Sequence, residues 1–340
     1  MTTDVLTRVE GRAGRITLNR PAALNALNHE MTLAIDAALT EWRDDPRVEI
    51  VVIEASGERA FCAGGDIAAL YHAGRAGNAA ASIRFWVDEY RMNAKIAEFP
   101  KPVVAFMQGF VMGGGVGLGG HARLRIVGET SQIAMPECGI GLIPDVGGTL
   151  LLARAPGKTG AYLGVTGARM TAGDAVHAGF ADAFLPEADW PRVKAEMIRT
   201  GCADIPEQPA PPSELRAAQA EIDACFQGDM HEIQKRVARS DHPILVAAAK
   251  AIARNSPLSM VATLRLIDMT HAQNTIRGAL ENELRFTARA VEQSDFLEGV
   301  RAQIIEKDRA PRWGTTLTDL DPRLVDALLA PLPAELAIRF

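Results

Sequence analysis

A chain of 340 residues with 48% apolar and 23% charged residues can bury a substantial core, which excludes disorder over most of its length. That length suits one large domain or two modest ones. With 36 Lys and Arg against 42 Asp and Glu, the net charge of -6 argues against nucleic acid as a partner, while a local basic pocket for a small phosphorylated ligand stays allowed.

In chain order, residues 15–18, 50–55, 102–107, 123–127 and 131–134 are short apolar runs rich in Val and Ile, bounded by Gly, Pro or charge, and are predicted strands. Residues 28–43 are a predicted helix. Asn28 is its N-cap, and Met31, Leu33, Ile35, Leu39 and Trp42 are its apolar positions. A second helix over 82–97 is stopped by Pro100 and Pro102. This alternation predicts an α/β core with largely parallel pairing. Residues 204–213 carry Pro206, Pro209, Pro211 and Pro212 and read as a linker or surface loop. Beyond it no run reads as a strand. Helices are predicted over 214–226, 229–239, 244–254, 257–271, 274–291 and 294–306, with Pro243 and Pro257 near two of the starts. The expected division is therefore a core over 1–203, a Pro-rich stretch over 204–213 and a helical region over 214–340.

No pair among Cys62, Cys138, Cys202 and Cys225 has CxxC spacing, and no apolar signal segment opens the chain. Free thiols and a cytoplasmic location are the expectation, with no membrane span. The seven histidines are scattered, so no His/Cys metal site is expected.

Three glycine-bearing segments carry the candidate chemistry. Phe61 to Ile67 includes Gly64-Gly65-Asp66, Met112 to Gly117 includes Gly113-Gly114-Gly115, and Met135 to Gly148 includes Glu137 and Asp145. Each could be only a turn. A strand that ends in glycines and opens a helix also aims N–H groups outward, and two such turns side by side supply two donors to one oxyanion. Gly115, Gly117 and Gly120 match G-x-G-x-x-G, but the next predicted strand follows too soon for the long helix of a dinucleotide-binding unit. Glu137 and Asp145, each beside Pro and near Gly, suit a nucleophile or base with a helper; the bland alternative makes them caps or surface acids, with Asp145 capping a helix that starts at Val146.

Taken together, Asn19 to Leu27, Ala60 to Ile67, and Lys101-Pro102 with Gly113-Gly114-Gly115 resemble the crotonase (enoyl-CoA hydratase/isomerase) superfamily in motif order and spacing. The resemblance implies a spiral of ββα units with a helical C-terminal region and acyl-CoA thioester substrates, and it places the thioester oxygen between the N–H groups of Gly65 and Gly114. The superfamily's hydratases carry two glutamates. Glu137 stands at one of those positions and Gly117 at the other. The pattern Glu89 to Asn93, Ala134 to Glu137 and Ile143 to Gly148, with Phe296 to Ala302 and Lys307 to Trp313, is similar to the 3-hydroxyisobutyryl-CoA hydrolase family of valine catabolism. That likeness implies Glu137 as nucleophile or base, Asp145 as its partner and Glu89 as a substrate-contacting residue. It implies no cofactor beyond the CoA that comes with the substrate. A hydratase or isomerase of the same superfamily is the alternative. Lysines that many members use near the CoA adenine are replaced by Ala22 and Ala68, and nothing chooses among Arg20, Arg59 and Arg75 as substitutes. Relatives often trimerise, so a homo-oligomer is allowed, although the added helical region could cover that interface.

Overall fold

A computed structural model of the protein describes residues 2–340. The chain forms two compact units, each assembled from separate segments. The first comprises Met1–Gly65, Asp88–Ala134 and Met170–Glu214, the second Asp66–Val87, Met135–Arg169 and Leu215–Phe340. The divide expected at 204–213 lies beside only the last of these boundaries, because residues 66–87 and 135–169 group with the C-terminal helices.

In the first unit the strands are β1 (Val5–Glu10), β2 (Ala13–Leu18), β3 (Ile50–Ala55), β4 (Ala60–Cys62), β5 (Val103–Met107), β6 (Phe110–Met112), β7 (Leu124–Val127), β8 (Gln132–Ala134) and β9 (Ala183–Phe184). Six of them form a sheet in the order β1-β2-β3-β5-β7-β9. Only the β1–β2 pair in it is antiparallel. The other three form a parallel sheet, β4-β6-β8. Along the chain, β3-β4, β5-β6 and β7-β8 are successive pairs that send one strand to each sheet, and a helical segment follows each pair (Ile67–Arg75, Gly114–Gly119 and the 3-10 turn Glu137–Ile140). This is the ββα spiral of the crotonase fold.

The central strands β3 and β5 are buried nearly throughout, which is why they read as unbroken apolar runs rather than alternating ones. Their core includes Val52, Val104, Phe106 and Ile126, closed by Trp190 edge-on to Phe106 at 5.3 Å between ring centres. The helix His29–Trp42 starts as predicted, with the Asn28 side chain accepting from the Met31 N–H at 2.9 Å. Met31, Ile35, Leu39 and Trp42 are buried, but Leu33 is 48% exposed: two residues on from Met31, it lies on the opposite side of the helix.

The second unit is helical, and among the described residues no strand follows Phe184. Pro243 and Pro257 occupy the first turns of Pro243–Arg254 and Pro257–Gln273, where a missing N–H costs nothing. Trp86 packs edge-on against Phe296 at 5.8 Å. Two predicted helices are broken. The one over 214–226 divides into Glu214–Ala217 and Gln219–Cys225, and the one over 294–306 becomes Phe296–Val300 followed by a π-helical turn, Arg301–Ile305. Among the described residues, no helix is long and apolar enough to cross a membrane and no group of three or more His, Cys, Asp or Glu could hold a metal ion.

Candidate active site

Strands β4 and β6 are parallel neighbours, so their C-terminal ends lie at one edge of the small sheet. Gly64-Gly65 follows the first and Gly113-Gly114 the second, which brings the two glycine turns together within the first unit. Gly64 and Gly113 take the positive φ values, 108° and 47°. Gly114 does not; what it requires is space. A Cβ on Gly114 would stand 2.8 Å from Oε1 of Glu89 and 3.2 Å from the Gly65 nitrogen. Leu27 donates its N–H to the Gly64 carbonyl at 2.8 Å, fixing the first turn. Gly114 opens the short helix Gly114–Gly119, so its N–H belongs to a helix start that has no intrahelical acceptor.

Glu89 reaches this corner from the helix Ala79–Ala97 and is buried. Gly65, Gly114 and Glu89, singled out from sequence, thus meet. The G-x-G-x-x-G match is carried by a six-residue helix with β7 close behind it, and Gly117 is buried in that helix. Arg20, one of three arginines considered for the CoA end, donates to the Ala26 carbonyl at 3.1 Å and pairs with Asp4 at 3.6 Å.

Glu137 and Asp145 belong to the second unit, and each is 5% exposed, so neither is a surface acid. Glu137 is not on an irregular loop; it is the first residue of the 3-10 helix Glu137–Ile140 and its carbonyl accepts from Gly141 and Leu142. Burial pushes the neighbouring Cys138 thiol up to about 12, a structural cysteine rather than a nucleophile.

The Asp145 turn departs from the capping alternative. The helix begins at Gly148 and its N-cap is Gly147, which brings no side chain to the cap position. Asp145 instead closes a tight turn with its own carbonyl, which accepts from the Gly148 N–H at 2.7 Å across Val146 and Gly147, both left-handed at φ 54° and 78°. The helix start is satisfied from a distance. Glu283, on the helix Ile276–Gln293, accepts the Gly147 N–H on Oε2 at 2.7 Å and the Thr149 N–H on Oε1 at 3.0 Å, and also contacts the Thr149 hydroxyl. Burial pushes the Glu283 carboxyl up to about 8 against the pull of the Thr149 and Gly147 bonds, with the charge of Asp145 adding to the rise. Sequence reading missed Glu283. Its signal was an acid on the apolar stripe of a predicted helix, level with Leu280, Phe286 and Ala290.

The family model for enoyl-CoA hydratase/isomerase matches residues 13–329. A 3-hydroxyisobutyryl-CoA hydrolase, mitochondrial, from Danio rerio is 36% identical over 345 aligned positions, covering 97% of this chain and 90% of its own. The protein of the same name from Homo sapiens is 34% identical over 325 positions, covering 91% and 84%. Among solved structures, an enoyl-CoA hydratase from Rhodobacter sphaeroides 2.4.1 superposes with a TM-score of 0.97 at 57% identity, covering 99% of this chain and 100% of that one. A carnitinyl-CoA dehydratase from Mycobacterium thermoresistibile superposes at 0.92 with 40% identity, covering 99% of both chains. Sequence and fold agree along nearly the whole length, and the chain belongs to the enoyl-CoA hydratase/isomerase family.

Proposed function

We propose that the protein hydrolyses the thioester of a short branched 3-hydroxyacyl-CoA, with 3-hydroxyisobutyryl-CoA as substrate. The observation that carries this reading is a pair of buried carboxyl side chains, Glu137 and Asp145, in a chain that has Gly117 where the family's hydratases have their second glutamate. The name borne by the relatives at 34–37% identity supports it.

In the proposed reaction the thioester oxygen takes up negative charge while it receives the N–H groups of Gly65 and Gly114. Fixed donors favour that developing charge over the ground state. Glu137 either attacks the carbonyl carbon or takes a proton from an attacking water. On the first route a carboxylate C–O bond forms, the C–S bond breaks, CoA leaves as thiolate and takes up a proton, and water then cleaves the mixed anhydride. On the second, water adds directly and the same C–S bond breaks. Asp145 serves the 3-hydroxyl or the leaving thiolate. CoA arrives as part of the substrate, and neither route draws on a further cofactor.

The test is thiol release. Purified protein is expected to free CoA from 3-hydroxyisobutyryl-CoA and to leave crotonyl-CoA essentially unhydrated; efficient hydration with no thiol release would sink the reading. That opposite outcome defines the second reading, an enoyl-CoA hydratase, which the name of the 57%-identical structure favours.

Asp145→Asn discriminates further. Because Gly147, not Asp145, is the N-cap, the substitution is not rescued by the equal capping ability of Asn. Turnover of the hydroxylated substrate is expected to fall by roughly tenfold or more, and less with an acyl-CoA that lacks the hydroxyl, since that contact is never made there. Equal rates for mutant and parent on both substrates would remove Asp145 from the reaction.

A further inference from the structure

We propose that Glu283 is the positioning residue for Asp145: its carboxyl holds the Asp145–Gly148 turn in a conformation the turn's own residues disfavour. The inference rests on the reading above that Asp145 acts on the bound acyl group.

The turn is under strain at a named position. Val146 has φ 54°, a left-handed conformation that crowds a β-branched side chain, and it is buried. A turn with two left-handed central residues ordinarily takes Asn-Gly or Gly-Gly. Something outside the turn must therefore hold it, and the structure shows what does. The two oxygens of Glu283 take the N–H groups on either side of Gly148, those of Gly147 and Thr149. The Thr149 hydroxyl completes the clamp and lies 3.1 Å from the hydroxyl of Thr270 on a second helix. Thr149, Thr270 and Glu283 are all fully buried. The residue immediately before the strained valine is Asp145, so the clamp fixes the direction in which that carboxyl leaves the backbone.

A role in helix capping alone does not account for this arrangement. The helix, Gly148–Arg154, has only seven residues, and the Gly147 N–H that Glu283 takes lies before its first residue. Instead the fold keeps a buried carboxyl and a strained valine together. Each is costly alone, and as a pair they fix one direction for Asp145.

Glu283→Gln keeps the size of the side chain but replaces one acceptor oxygen by an NH2 that faces an N–H. Thiol release from 3-hydroxyisobutyryl-CoA by Glu283→Gln, Asp145→Asn and the double variant tests the proposal. The expected result is a kcat loss on the order of tenfold for Glu283→Gln with little change in KM, shrinking to about twofold or less when Asp145 is already Asn. A silent Glu283→Gln, or the same factor in both backgrounds, would overturn it, because a merely structural role is indifferent to residue 145. If Glu283→Gln does not fold, Thr149→Val, which removes the hydroxyl contact and keeps the shape, takes its place in the same cycle. Amide hydrogen exchange at Gly147 and Thr149 gives a readout independent of chemistry. It is expected to speed up in Glu283→Gln, and unchanged exchange would overturn the clamp. An unsubstituted enzyme that releases no thiol would overturn the hydrolase reading and leave the clamp to be decided by exchange.

Discussion

Glu137→Gln is expected to lower turnover of 3-hydroxyisobutyryl-CoA by roughly 10²–10⁴, the usual worth of a positioned base, and by more if the step is covalent. The amide keeps the size of the side chain and removes the basicity of the carboxylate. Glu137 is almost fully buried at the start of a 3-10 turn whose backbone bonds run through its carbonyl, and a glutamine leaves those bonds in place. The melting temperature is therefore expected to hold or to rise, since an uncharged amide is easier to bury than a carboxylate. Thiol release and thermal melting of the same preparation check both halves. A fully active Glu137→Gln protein would overturn the proposed chemistry.

Gly114→Val is expected to lower kcat at least roughly a hundredfold, the cost of losing one oxyanion donor, about 3 kcal/mol. Gly114 has an ordinary backbone conformation, so a side chain there meets no φ penalty and even gains helix propensity over glycine. What it meets is the Glu89 carboxyl at 2.8 Å and the Gly65 nitrogen at 3.2 Å, the groups that frame the proposed oxyanion position. Gly115 is the control. A Cβ there would stand 2.2 Å from the Cys62 carbonyl oxygen, a backbone atom that cannot swing aside, so Gly115→Ala is expected to lower the melting temperature as well as the rate. Normal turnover by a folded Gly114→Val protein would reduce the triple glycine to a turn.

Much of this was legible in the sequence because the informative elements are long or strongly patterned. Strand β3 fell where its apolar run lay, and Asn28 caps its helix. Strands β4 and β6, at three residues each, were not predicted, yet they deliver both glycine turns to one edge. Strand β1 was missed because most of its residues face solvent and it pairs through one edge only. Gly65, Gly114 and Glu89 were singled out through motif order, and the fold places them side by side. Glu283 was not found, since its partners are backbone N–H groups 136 and 134 residues away, and backbone donors carry no side-chain signature. The alternative that made Asp145 a helix cap fails for a related reason: the left-handed Val146 is held from outside its own segment, which local propensity cannot foresee.

The chain passes from one compact unit to the other at Gly65/Asp66, Val87/Asp88, Ala134/Met135, Arg169/Met170 and Glu214/Leu215. Neither unit can therefore be excised by a single cut. A truncation at the Pro-rich stretch would remove the C-terminal helices but leave residues 66–87 and 135–169 attached, with Trp86 stripped of Phe296 and the Asp145 turn stripped of Glu283. Those orphaned apolar surfaces would make the fragment prone to aggregation rather than a smaller working enzyme. By the same threading, moving the helical unit between two relatives takes five junctions along the chain rather than one.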